Sequence, residues 1–279
     1  MKMKIGFNEA TTLKNSTLEK DLILAEKYGY DYIEVRFDKL REYLKTHKLG
    51  ELKAYFDSHR IKPYALNALE FINFRSSEDY AKIKSDLVWL CEAGRAIGCG
   101  KLVVVPTFGI SGVTKEQVKT ETVRVLRELA DIAAPYGMKL AFEFVGYPDC
   151  SVNNFADAYD IVCAAGRSNV GCVLDCFHFY AMGSKLSDLE KADGKKIFIF
   201  HIDDAEDMPV GTMTDANRLW PGDGVIPLGK MIEILRGIGF DEMASVEIFR
   251  PEYWQWDAEK TIAKGYETTE KVLKAANAR

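Results

Sequence analysis

Eight times along this chain a short apolar run gives way to a polar turn and then to a stretch with helical periodicity. The apolar runs lie at 4–8, 32–37, 63–68, 102–105, 139–145, 171–175, 197–203 and 244–249. Between them, LEKDLILAEKYG, DYAKIKSDLVWLCEAGRAIG and KEQVKTETVRVLRELADIAAPYG repeat their apolar residues with the spacing of an amphipathic helix. Gly29, Gly98, Gly137 and Gly239 close four of these stretches, as glycine commonly does at a helix C-terminus. Alternating strands and helices demand a parallel sheet with crossover connections. Eight units of about 35 residues consume the whole chain, as a (β/α)8 barrel does. A doubly wound sheet needs a glycine-rich loop after its first strand. Here that strand runs into FNEATTLKNS, which has no G-x-G-x-x-G. The expected fold class is therefore α/β, a single (β/α)8 TIM barrel domain over residues 1–279.

Composition narrows the range of partners. The formal charge is −5, from 37 Lys and Arg against 42 Asp and Glu, which disfavours a nucleic-acid partner because phosphate binding needs a basic surface. No apolar stretch approaches the roughly 18 residues of a membrane-spanning helix, and MKMKIGFNEATTL has no apolar signal region. The six cysteines, Cys91, Cys99, Cys150, Cys163, Cys172 and Cys176, contain no C-x-x-C pair and read as reduced thiols of a cytoplasmic protein. Assembly into an oligomer is compatible with all of this.

In a barrel, catalytic groups come from the C-terminal ends of several strands. The second half of the chain supplies four in succession. In KLAFEFV, the large residues Leu140, Phe142 and Phe144 share one face and Glu143 lies on the other, with Ala141 and Val145. Asp175 is in phase with Gly171 and Val173; His201 with Ile197 and Ile199, opposite Phe198 and Phe200; Glu247 with Ser245. Each alone could be a buried pair or a hydrogen-bonded core residue. Three carboxylates at one mouth repel one another, and a divalent cation relieves that conflict. Three carboxylates with one imidazole suit Mn²⁺, Zn²⁺, Co²⁺ or Mg²⁺, and the oxygen-rich set favours Mn²⁺ among them.

These residues resemble the single-metal site of the xylose-isomerase-like sugar isomerase and epimerase barrels, which include inosose-processing enzymes. The phrases FNEATTL, GYDYIEVR, KPYALNAL, FEFVGYP, LDCFHFYAMGS, KKIFIFHIDDAED, RLWPGDG and VEIFRPEYW carry the resemblance from Phe7 to Trp254. It implies metal ligation by Glu143, Asp175, His201 and Glu247, with Glu143 and Glu247 doubling as acid/base groups. It also implies substrate contacts from His178 and Arg218. Cys176 stands where a small hydroxyl residue is expected and should face the outer packing.

A metal with free positions beside carboxylates suits proton abstraction next to a carbonyl. With the resemblance to inosose-processing enzymes, which alone points to the sugar, the expectation is ketone transposition on a cyclic polyol through an enediolate, 2-keto-myo-inositol to 1-keto-D-chiro-inositol in inositol catabolism. A ketohexose 3-epimerase, an inosose dehydratase and a non-catalytic sugar-binding barrel are the alternatives. An endonuclease with a histidine-rich three-metal cluster is disfavoured, because the chain has four histidines in all.

Other residues carry weaker expectations. Trp220 is either an apolar wall of the pocket or packing beneath its loop, and Arg218 either holds a substrate oxygen or forms a surface salt bridge. Asn67 and Asn8 end their strands and can reach substrate hydroxyls. Glu34 and Arg36 share the inward face of the second strand and are expected to pair with each other. Gly222 and Gly224 in PGDG read as a turn rather than a phosphate cradle. NALEFINFRSSED is a candidate mobile loop.

Overall fold

A computed structural model describes residues 2–279, in which eight parallel strands close into a barrel. The barrel strands are β1 (Ile5–Asn8), β2 (Tyr32–Arg36), β3 (Lys62–Leu69) and β4 (Lys101–Val104). They continue with β5 (Lys139–Glu143), β6 (Val170–Asp175), β7 (Ile197–Ile202) and β8 (Ala244–Val246). Each pairs with its neighbour in sequence, and β1 pairs with β8 to close the ring. Amphipathic helices such as Leu18–Tyr28, Ser77–Ile97, Lys115–Ala133 and Ala258–Ala275 connect or follow the strands. Thr17 and Ser76 accept backbone N–H bonds at two of their starts, and Gly29 and Gly98 end the same two helices at φ of 102° and 79°. No helix of the described residues is long and apolar enough to cross a membrane.

Strand alternation divides the apolar residues into two cores. Ile5, Phe7, Ile33, Val35, Leu140, Phe142, Phe144, Phe200 and Val246 pack outward against the helices. Ala65, Val103, Ala141, Val173 and Ile199, with Tyr64, Phe198 and Met243, fill the barrel. Small and β-branched residues dominate inside because eight converging strands leave little room there. The paired strands β5, β7 and β8 are shorter than the apolar runs, whereas β3 and β6 are longer. Their ladders stop at Glu143, Asp175 and Val246, so polar side chains emerge where the backbone leaves the sheet.

The alternation expected in β7 is corrected at its start. Cys172 pairs with Ile197 and Val173 with Ile199, so Phe198 is an extra residue at a bulge. Ile197 therefore packs outside while Phe198 turns inward. Gly171 makes this possible: a Cβ there would lie 2.6 Å from the Phe198 ring and 2.7 Å from the Lys196 carbonyl oxygen. The bulge precedes Ile199, so His201 keeps its inward phase.

After β7, Asp204–Ala205 pairs with Arg218–Leu219 in a short antiparallel ribbon that returns the chain to the barrel mouth. The Asp204 carboxylate accepts N–H bonds from Ala205, Gly222 and Ile226 at 2.8–3.0 Å. PGDG is thus a turn wrapped around an internal carboxylate. Replacing Gly171 by Ala should force Phe198 out of its place and cost about 1–3 kcal/mol, read as a lower urea midpoint with an unchanged m-value.

Candidate metal centre

The four strand ends meet. Glu143, Asp175, His201 and Glu247 are all buried, and each offers one ligand atom, all within 4.8 Å of one another. The focus is the Nδ1 of His201, which lies 3.0 Å from Glu143 Oε1, 3.1 Å from Glu247 Oε2 and 3.8 Å from Asp175 Oδ2.

Three of the four side chains are held from behind. Asp175 caps the helix Cys176–Ala181, its Oδ1 accepting the His178 N–H at 2.7 Å. Its Oδ2 accepts from Arg218 Nη1 at 2.8 Å. Glu247 Oε1 accepts from Asn8 Nδ2 at 2.7 Å and from Asn67 Nδ2 at 3.3 Å. Asn8 is itself oriented by the Ala10 N–H, which donates to its Oδ1 at 2.9 Å. His201 Nε2 lies 3.1 and 3.3 Å from the two oxygens of Glu34. Glu143, by contrast, is engaged among the described residues through Oε1 alone, to His201.

The electrostatics follow from this arrangement. Burial, helped by the Glu247 and Asp175 charges and opposed by His201, pushes the Glu143 carboxyl up to about 8. Burial also works against ionisation of Asp175, yet Arg218, His178 and His201 outweigh it and hold that carboxyl below the usual range. Burial lowers the His178 imidazole to about 4 despite Asp175 beside it, so the ring is neutral at pH 7. The Glu247, Glu34 and Glu143 charges overcome burial and raise His201 well above its ordinary value. A carboxyl and an imidazole that hold their protons this firmly, Glu143 and His201, beside the readily ionised Asp175 fit a divalent cation, which would replace those protons.

Several residues sit differently from expectation. Arg218 is neither at the surface nor free for substrate. It is fully buried, with Nη1 on Asp175 and Asp203, Nε 3.0 Å from Asp215 and Nη2 3.0 Å from His178. Its forked donors tie four side chains together across the mouth. His178 belongs to a buried helix rather than a loop and faces Tyr147 at 5.9 Å between ring centroids. Trp220 packs in the outer core beneath its loop, stacked on Tyr253 at 4.6 Å and close to Trp256 and Gly265. Asn67 bonds Glu247, so its amide supports a member of the cluster. Glu34 and Arg36 do not pair: Arg36 turns to Asp38 at 2.9 Å, leaving Glu34 to His201. The segment after β3 is pinned by Asn73, whose Oδ1 accepts the Thr107 N–H at 2.7 Å and whose amide donates to Thr122 at 2.8 Å. Cys176 is fully buried in the outer core.

Two functional neighbours were missed by sequence reasoning, Asp203 and the Glu34–His201 contact. Asp203 shares the phase of His201 two residues on, a signal present in HIDD. The partner of Glu34 is 167 residues away, beyond any local pattern.

The family model described as xylose isomerase-like TIM barrel matches residues 22–272. The chain belongs to this family. An inosose isomerase of Bacillus velezensis is 54% identical over 97% of this chain and 97% of its own length. One of Bacillus subtilis (strain 168) is 52% identical over 97% of this chain and 98% of its own. A crystal structure of IOLI protein with a binding zinc atom superposes with a TM-score of 0.96 at 51% identity, covering 98% of this chain and 99% of that one. In this chain Arg218 is the largest fully buried support. Arg218→Met should leave Asp175 and Asp203 buried without a cation, at a cost of about 3–5 kcal/mol. Arg218→Lys, which keeps the charge but loses the fork, should fall between the two in urea unfolding.

Proposed function

We propose that this chain is an intramolecular isomerase of the inosose isomerase type. It would move a ketone to the adjacent carbon of a cyclic polyol, 2-keto-myo-inositol to 1-keto-D-chiro-inositol, in inositol catabolism. The observation that carries this reading is the pair Glu143 and Glu247 facing one point at a buried cation site, in a chain more than half identical to inosose isomerases over nearly its full length. The activity belongs to one domain, residues 1–279, working in the cytoplasm; the six free thiols suit a reducing compartment.

One divalent ion would be held by Glu143, Asp175, His201 and Glu247, with Mn²⁺ favoured and Zn²⁺, Co²⁺ or Mg²⁺ accommodated by the same donors. Bound there, it would polarise an α-hydroxyketone and acidify the carbon–hydrogen bond beside the carbonyl. The protein supplies the proton transfers. Among the described residues Glu143 Oε2 has no other partner and so can take a proton from one carbon. Glu247, clamped through Oε1 by Asn8 and Asn67, presents Oε2 to the same point and can return a proton to the neighbouring carbon while the hydroxyl proton passes to the former ketone oxygen, and exchange with water resets the two carboxyls. Positioned acid/base groups of this kind contribute roughly 10²–10⁴-fold.

His178 is placed to recognise a substrate oxygen. Its Nε2 accepts from Arg218, so the neutral ring carries its proton on Nδ1, a buried atom with no hydrogen-bond partner among the described residues. Tyr147, whose ring faces His178, lines a cavity of about 570 Å³ together with Met213, Asp215, Phe249 and Trp254, a size that admits a six-membered polyol. Aromatic faces suit the carbon–hydrogen faces of such a ring. In this arrangement Arg218 and Asn67 act through Asp175, His178 and Glu247 rather than on substrate directly.

Product identification by NMR tests the proposal. The Mn²⁺-loaded protein incubated with 2-keto-myo-inositol in D₂O should give 1-keto-D-chiro-inositol, with deuterium on exchanging carbons. An epimer with its ketone unmoved, a loss of water, or no deuterium at all would point instead to an epimerase, a dehydratase or a binding barrel, and would overturn it. Glu143→Gln and Glu247→Gln should each lower turnover by at least about 10²-fold with the fold intact by circular dichroism.

Cation binding must displace the proton held by Glu143, whose carboxyl titrates at about 8. Because the raised His201 imidazole must give up a proton as well, apparent Zn²⁺ affinity should fall by at least about tenfold for each pH unit below 8. Calorimetry at pH 7 in buffers of different ionisation enthalpy should show net proton release. A pH-independent affinity with no released proton would place the ion elsewhere.

A further inference from the structure

Glu34 is a fully buried carboxylate on the inward face of β2, and burying such a charge is costly unless a partner compensates it. The cation closest in sequence on that face, Arg36, is committed to Asp38 and lies over the Phe249 ring. Among the described residues the one hydrogen-bond or ion-pair partner of Glu34 is His201 Nε2, approached by both carboxylate oxygens at 3.1 and 3.3 Å. The other ring nitrogen, Nδ1, faces Glu143, Asp175 and Glu247. The two nitrogens of this imidazole therefore look in opposite directions, one into the cluster and one onto Glu34.

A neutral imidazole carries a single ring proton, and its position decides which nitrogen has a lone pair to give. With the proton on Nδ1, the N–H would point into the three carboxylates and block the point where an ion sits. Nε2 would then set its lone pair against Glu34. With the proton on Nε2, Glu34 accepts it and Nδ1 is free to donate to a cation.

We infer that Glu34 is a positioning residue that fixes the Nε2–H tautomer and ring orientation of His201, so that the Nδ1 lone pair is aimed at the cation. The inference rests on the metal reading above. Carboxylates behind a ligating histidine typically govern metal affinity by roughly 10–100-fold. Asn8 and Asn67 do the corresponding work for Glu247, and Arg218 does it for Asp175; Glu34 completes the set for His201.

The test measures Zn²⁺ affinity by chelator competition at pH 7.5 for the wild type, Glu34→Gln and Glu34→Ala. Long-range ¹H–¹⁵N spectra of the histidine rings of the zinc-loaded proteins accompany it. Glu34→Ala should weaken Zn²⁺ binding by roughly 10–100-fold, and Glu34→Gln, whose amide oxygen can still accept, by less. The wild-type His201 signal should show a proton on Nε2, and that proton should exchange with water faster in Glu34→Ala. A purely structural role would lower the unfolding midpoint while leaving affinity and exchange unchanged. That result overturns the inference, as does a wild-type His201 protonated on Nδ1, a reading that needs no variant to fold. Wild-type protein that binds no Zn²⁺ would remove the metal reading together with this one; normal wild-type binding that Glu34→Ala leaves undiminished removes this one alone.

Discussion

Three carboxylates brought to one imidazole nitrogen inside a barrel cannot all be ionised without a positive charge among them. Everything else at the mouth of this protein is arranged around that constraint. Water would ordinarily screen such a cluster, but these side chains are buried, and low local polarity magnifies the repulsion. The strain shows at Glu143, which lacks a second tether and is driven to hold its proton at neutral pH. Asp175 escapes the same outcome because a fully buried guanidinium faces it. One site thus contains a carboxyl that gives up its proton with difficulty beside one that does so readily, a division suited to acid/base chemistry.

The barrel makes this convergence cheap. Strand alternation sends the bulky residues of β5 and β8 to the helices and leaves their polar neighbours no choice but to point inward. Closure then places the ends of β5, β6, β7 and β8 side by side. Convergence of the four strands does not by itself supply orientation, which comes from the other barrel strands and from the ribbon. Asn8 arrives from β1, Glu34 from β2, Asn67 from β3, and Arg218 from the ribbon that follows β7. The first half of the chain, which gives no ligand to the cluster, holds Glu247 and His201 in place, and Arg218 of the second half holds Asp175.

This division also explains what could be read from the residues. The inward phase of Glu143, Asp175, His201 and Glu247 was legible because alternation is local: a few residues on either side decide which way a strand residue points. The same logic failed at Ile197 and Phe198, where the bulge depends on Gly171 in the neighbouring strand rather than on β7 itself. It failed more plainly for partners. Glu34 had Arg36 two positions away on the same face, yet its partner is His201 from across the barrel. Arg218 and Trp220, two residues apart, have opposite fates, one buried in the mouth and the other in the outer core, because the ribbon strand ends at Leu219 between them. Local pattern gave the faces; the pairings were settled only by closure of the sheet.

The central claim is that these four side chains hold one cation in common. Crystals of the protein grown with Mn²⁺, with data collected on both sides of the manganese absorption edge, test it most directly. The account predicts a single strong anomalous peak at about 2.0–2.3 Å from Glu143, Asp175, His201 Nδ1 and Glu247. A peak held by other residues, or none at that point with manganese present in excess, would contradict it.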